Sequence, residues 1–173
     1  MKMNHDSELA SWLDETMQVF PEIKRRAVKI RYKPMSMKTL GRVNAKIEQK
    51  LDFDPEALLL GEKQNIRKRR LKPKEFVIQM NSRIQAVKNE ALRKEIVQYV
   101  ILHELLHIKG EDLLTISKDY SRRKKKRIHV SAFESEVFRR FNELRRMRGI
   151  MEIEKLEHLE AAVSRIWESV AKH

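Results

Sequence analysis

Apolar residues along the chain recur with two periods. From Asp6 to Phe20 they fall at Leu9, Trp12, Leu13, Met17 and Phe20, the spacing of an amphipathic helix that Asp6 or Ser7 can cap and Pro21 ends. Ala27 to Tyr32 alternates apolar and basic residues, which predicts a half-buried strand stopping near Pro34, and Glu75–Asn81 predicts a second strand. Between them the pattern is weaker. Met35–Leu51 holds Gly41 and then Val43, Ile47 and Leu51 at helical or mixed spacing, and Phe53–Leu60 is apolar around Pro55. The basic stretch Glu62–Lys74 reads as a solvated loop or turn.

The C-terminal half is helical in pattern. A helix is expected from about Ala91 through Lys109, with Gly110 as its C′ residue and Lys109 suited to the negative end of the helix dipole. Ile96, Val97, Val100, Ile101, Leu102, Leu105, Leu106 and Ile108 cover most of its circumference, so it belongs in the core. Glu111–Ile128 is polar and irregular and contains six consecutive basic residues, Arg122, Arg123, Lys124, Lys125, Lys126 and Arg127. Ser131 and Glu134 have the spacing of a capping box, opening a helix that turns Phe133, Val137, Phe138, Phe141 and Leu144 inward until Gly149. A last amphipathic helix is expected over Glu152–Val170, carrying Ile153, Leu156, Leu159, Val163, Ile166, Trp167 and Val170. Two strands followed by helices make an α+β fold, with one domain over residues 1–149 and a helical extension over 150–173.

The core helix carries the chemistry. His103-Glu104-Leu105-Leu106-His107 places two imidazoles at i and i+4, one turn apart on one face, where they can share a metal ion. Glu104 is the candidate catalytic residue, a general base acting on water at the ion's open position, and the pattern suits Zn²⁺. Two histidines and a glutamate in so apolar a helix would be poorly solvated without a common partner. A catalytic zinc site takes a third protein ligand. His129, Glu134 and Glu136 are the candidates, with Glu111 and Asp112 behind them, and Glu134 has a competing role in the capping box.

Composition narrows the class. The 173 residues suffice for a core without staples, and the absence of cysteine excludes disulfides, Cys-type zinc ribbons and thiol nucleophiles. The start, Met1-Lys2-Met3-Asn4-His5-Asp6, lacks the apolar stretch of a signal peptide and no run approaches a membrane span, so a cytoplasmic protein with no membrane partner is expected. A net charge of +13 favours polyanions, nucleic acid foremost, with Arg122–Arg127 as the candidate contact, although such basic runs also serve simply as a solvated surface.

Three segments in order, Phe76–Asn81, Ile96–His107 and His129-x-x-x-Phe133, resemble the SprT-like and related small zincin metallopeptidases. Ile30-Arg31-Tyr32-x-x-Met35-x-Met37-Lys38-x-Leu40-Gly41 is similar to the strand and turn that precede that core. The resemblance implies a short mixed β-sheet packed on an active-site helix, peptide hydrolysis, His129 as third ligand, and a sheet edge, assigned to Phe76–Met80, that pairs with the substrate. It also implies a protease acting on DNA-associated proteins. The chain departs from the group in its longer gap between His107 and His129 and in lacking a Cys zinc ribbon. It is similar in plan to minigluzincins too, in which a glutamate, here Glu136, is third ligand and a C-terminal segment blocks the cleft. Tyr120 and Arg127 are candidate oxyanion donors between which spacing does not choose. The rival functions are a non-catalytic nucleic-acid-binding protein with structural zinc and a latent peptidase closed by its last helix.

Overall fold

Helix α2 (Glu90–Lys109) is the element against which helix α1 (His5–Met17), strands β2 (Gly41–Lys46) and β5 (Glu75–Asn81) and helix α3 (Ser131–Met147) pack in the computed structural model. The structure describes residues 5–46, 49–52, 67–70, 73–110 and 131–171. Asn89 starts α2, its side-chain oxygen accepting a hydrogen bond from the Leu92 amide at 3.0 Å, and Glu90 stands in the first turn where the helix dipole favours a carboxylate. Gly110 stands one position nearer the helix than expected, at the C-cap, with an ordinary right-handed φ of −73°. The left-handed ending belongs to α3. Gly149 has φ +67°, with its amide bonded to the Arg146 carbonyl and that of Ile150 to the Arg145 carbonyl, a Schellman closure.

The fold is α+β with a small three-stranded mixed sheet ordered β1-β5-β2, where β1 is Val28–Lys33. β1 runs parallel to β5 (Val28 opposite Phe76, Tyr32 opposite Met80), and β2 runs antiparallel to it (Gly41 opposite Met80, Ala45 opposite Phe76). This register turns Val28, Ile30 and Tyr32, Phe76, Ile78 and Met80, and Val43 and Ala45 to the side where the core lies. The expectation that Phe76–Met80 is an open edge is corrected: β5 is hydrogen-bonded on both sides, and among the described residues β1 and β2 are the edges. β2 itself is the strand left unassigned by periodicity, although Gly41, Val43 and Ala45 do alternate with polar residues. A second, two-stranded sheet pairs β3 (Gln49–Asp52) with β4 (Arg67–Arg70), so part of the expected basic loop is a strand. Phe53–Leu60 lies outside the described residues.

The apolar positions predicted for α1 are all buried, and Val137, Phe141 and Leu144 of α3 join the same cluster. Residues 150–155 are not helical; helix α4 spans Leu156–Ala171, and Ile153 is held by Asn142, which bonds both its amide and its carbonyl at 2.8 Å. Val163 of α4 is buried, and the Trp167 ring N–H donates to the Met37 carbonyl at 2.5 Å. Among the described residues no helix is long and apolar enough to cross a membrane.

Asn81, fully buried at the end of β5, fastens the connection between β1 and β2. Its side-chain NH₂ donates to the carbonyls of Thr39 (2.7 Å) and Ser36 (3.1 Å), its oxygen accepts from the Arg83 amide, and its own amide donates to the Leu40 carbonyl. Asn81→Ala strands two carbonyls and an amide in a dry site and should destabilise the protein by about 2–3 kcal/mol, read as a lower urea midpoint at unchanged slope.

Candidate metal centre

His103 and His107 lie on one face of α2, both half-buried, with their Nε2 atoms 3.2 Å apart and ring centroids 4.9 Å apart. That separation satisfies two chemistries, a proton shared between the rings or a cation shared by them. Two nitrogens bound to one tetrahedral Zn²⁺ at about 2.0–2.1 Å each stand about 3.3–3.4 Å apart, so the pair fits the ion with almost no movement. The same nitrogen of each ring faces the common point, as two ligands of one ion require.

Phe133, in the first turn of α3, closes the pair from the side. Its ring stacks on His107 (centroids 4.8 Å, planes 29° apart) and meets His103 edge-on at 5.0 Å. Tyr99, one turn before His103, lies 6.4 Å from that imidazole. The helical pattern predicts only a core residue at Phe133; its contact with both imidazoles joins residues 26 to 30 positions apart and leaves no local trace.

Glu104 is buried, only 7% exposed, beneath the start of β2. Gly41 explains how the strand comes so near. A methyl group there would stand 2.4 Å from Val100 Cγ1, 3.3 Å from the Gln79 carbonyl oxygen and 3.9 Å from Glu104 Oε1, so only a residue without a side chain admits this approach. Glycine thus brings the general-base candidate beside a strand edge, a role that sequence spacing did not suggest.

Glu136 has other partners. Its carboxylate accepts from Arg139 (2.8 and 2.9 Å), from Arg140 Nε (2.6 Å) and from Lys109 Nζ (3.3 Å). The Arg139 bonds, helped by Arg140 and Lys109, outweigh burial and hold its carboxyl down to about 2, from an ordinary 4.5. Arg140 is itself buried over the Phe20 ring and bonds Glu22 and the Val19 carbonyl, so this cluster ties α3 to the end of α2 and the turn after α1. Among the described residues no three His, Asp or Glu side chains form a group able to hold a metal. His129, Glu111, Asp112, Tyr120 and the basic run Arg122–Arg127 lie outside the described residues.

No family model, curated protein or solved structure matches this chain.

The Glu136 cluster gives a pH test. A carboxyl depressed in the fold contributes its ion-pair stability in full above its unfolded value and loses it as pH falls from 4.5 to about 2. Thermal melts followed by circular dichroism should show Glu136→Gln less stable than the parent by about 2 kcal/mol at neutral pH, with the gap closing across that acid window.

Proposed function

We propose that this chain is a zinc-dependent metallopeptidase of the small zincin type, with His103 and His107 holding the ion and Glu104 as general base. The observation that carries this reading is the convergence of the two imidazole Nε2 atoms to 3.2 Å, one residue from a buried carboxylate. Zn²⁺ bound there would supply a Lewis acid for the scissile carbonyl and lower the pKa of water toward about 7.

The chain's own residues account for the remaining work. Glu104 takes the proton of the attacking water and returns it to the leaving amine, so the carboxylate is regenerated at each turnover. Phe133 keeps both rings from swinging off their common point, which favours a preformed ligand pair. β2 offers the substrate an open side: among the described residues its one ladder partner is β5. An extended peptide added along that edge gains backbone hydrogen bonds and passes Gly41, where a Cβ would stand 3.9 Å from Glu104 Oε1.

His129 is the third ligand in this reading. It precedes Phe133 by four residues, the His-x-x-x-Phe spacing on which the zincin resemblance rests. Glu136 is the poorer choice because binding a metal would require it to give up Arg139, Arg140 and Lys109.

Glu104→Gln should keep its zinc, measured by elemental analysis after metal loading and desalting, while cleavage of a denatured protein substrate drops by about 10²–10⁴-fold. His107→Ala should lose both the zinc and the activity. Cleavage at parental rate by the Gln variant would refute the role given to Glu104, and a loaded parent protein without stoichiometric zinc would refute the site.

A further inference from the structure

The three-stranded sheet has one side in the core; on its other side Gln79 and Asn81 of the central strand are buried, and the flanking strands carry a charged surface separate from the histidine pair. The alternation that turns Ile30, Ile78 and Val43 inward turns Lys29, Arg31 and Lys33 of β1 and Arg42 and Lys46 of β2 outward. All are exposed except the half-buried Lys33. Glu75 of β5 is the one carboxylate among these outward positions, and it orders two of the cations, Lys29 at 2.7 Å and Lys46 at 2.5 Å. The Lys29 bond, followed by the Lys46 bond, holds the Glu75 carboxyl below its ordinary range. Arg42 is ordered as well, its Nε donating to Gln79 at 2.9 Å. Arg31 sits in the same cross-strand row as Gln79 and Arg42, and among the described residues neither it nor Lys33 has an ion pair.

We infer that this outward sheet face binds the phosphate backbone of duplex DNA. Five cations set against one carboxylate repel one another across neighbouring strands, a cost that a polyanion relieves. Strands about 5 Å apart and outward residues about 7 Å apart along each strand spread the charges over about 10 by 13 Å, the length of about four phosphates at 3.4 Å rise. The outward positions hold no aromatic residue, so the face lacks the stacking platform by which sheets bind single strands. Cations without stacking groups or a protruding reading element contact backbone rather than bases, which predicts binding without sequence preference. This inference is independent of the peptidase reading, and its test needs neither metal nor peptide.

Fluorescence anisotropy with a labelled duplex of about 20 bp, titrated across about 50–200 mM salt, tests the face. The triple variant Arg31→Gln, Lys33→Gln, Arg42→Gln should bind on the order of tenfold or more weakly, and its slope of log K against log salt should flatten by about 0.9 for each phosphate that is no longer neutralised. Lys88→Gln, Lys155→Gln, Arg165→Gln removes the same charge from exposed positions elsewhere and should leave the slope unchanged. Arg31→Gln alone, with a slope change of about 0.9, serves if the triple variant does not fold. Equal weakening in the two triple variants would overturn the proposal, as would tighter binding of a single strand than of the duplex, or no binding by the parent at low salt.

Discussion

The structure depends on the near-complete enclosure of α2. A helix that buries Ile96, Val97, Val100, Ile101, Leu102, Leu105, Leu106 and Ile108 must be covered on several sides, and here two strands and two helices cover it. Its polar residues then have few solvent-facing positions available, and His103 and His107 occupy two of them. Gly41 sets the limit of the enclosure on the sheet side. With Val100 Cγ1 only 2.4 Å from where a methyl group would stand, the strand lies as close to the helix as a backbone can. That closeness leaves Glu104 under an edge strand rather than in open water.

A second constraint is charge. The chain carries an excess of 13 positive charges, yet Arg93 and Arg140 are buried and Arg145 half-buried, each beside a carboxylate. Arg93 bonds Glu8 and the Val87 carbonyl and lies 5.8 Å from the Trp12 ring centre; Arg140 bonds Glu22, Glu136 and the Val19 carbonyl; Arg145 pairs with Glu95. Gln98, fully buried in α2, accepts from Arg148 and donates to Glu15. Ion pairs of this kind add little net stability against a well-packed apolar alternative, but a broken one leaves a charge stranded, so they penalise wrong helix packings. Those matched arginines lie between helices. On the outward sheet face the carboxylates run out, and the excess charge is left facing solvent.

Glu136 shows how such a network bears on the metal centre. From sequence it is a carboxylate inside a helix that could project toward the zinc. Three cations converge on it, two from its own helix at i+3 and i+4 and one from the end of α2, and together they make it a fastener between helices. The Arg139 bonds lead, and Lys109, 27 residues away in the chain, adds a contact that no local window shows.

The sequence by itself determined what short-range geometry dictates. The apolar spacing of α1, the alternation of β1 and β5, the span of α2 and the i, i+4 placement of the two histidines follow from periods of two and 3.6 residues, and each is found where the pattern puts it. β2 was obscured because Val43, Ile47 and Leu51 superimpose a helical spacing on a short alternating run. Only the tertiary structure decided that β5 lies between β1 and β2, that Phe133 presses on both imidazoles, and that Gly41 lets a strand edge reach Glu104. Each of these joins residues tens of positions apart, and such pairings are selected by the packing of the whole core, which no local window of residues encodes.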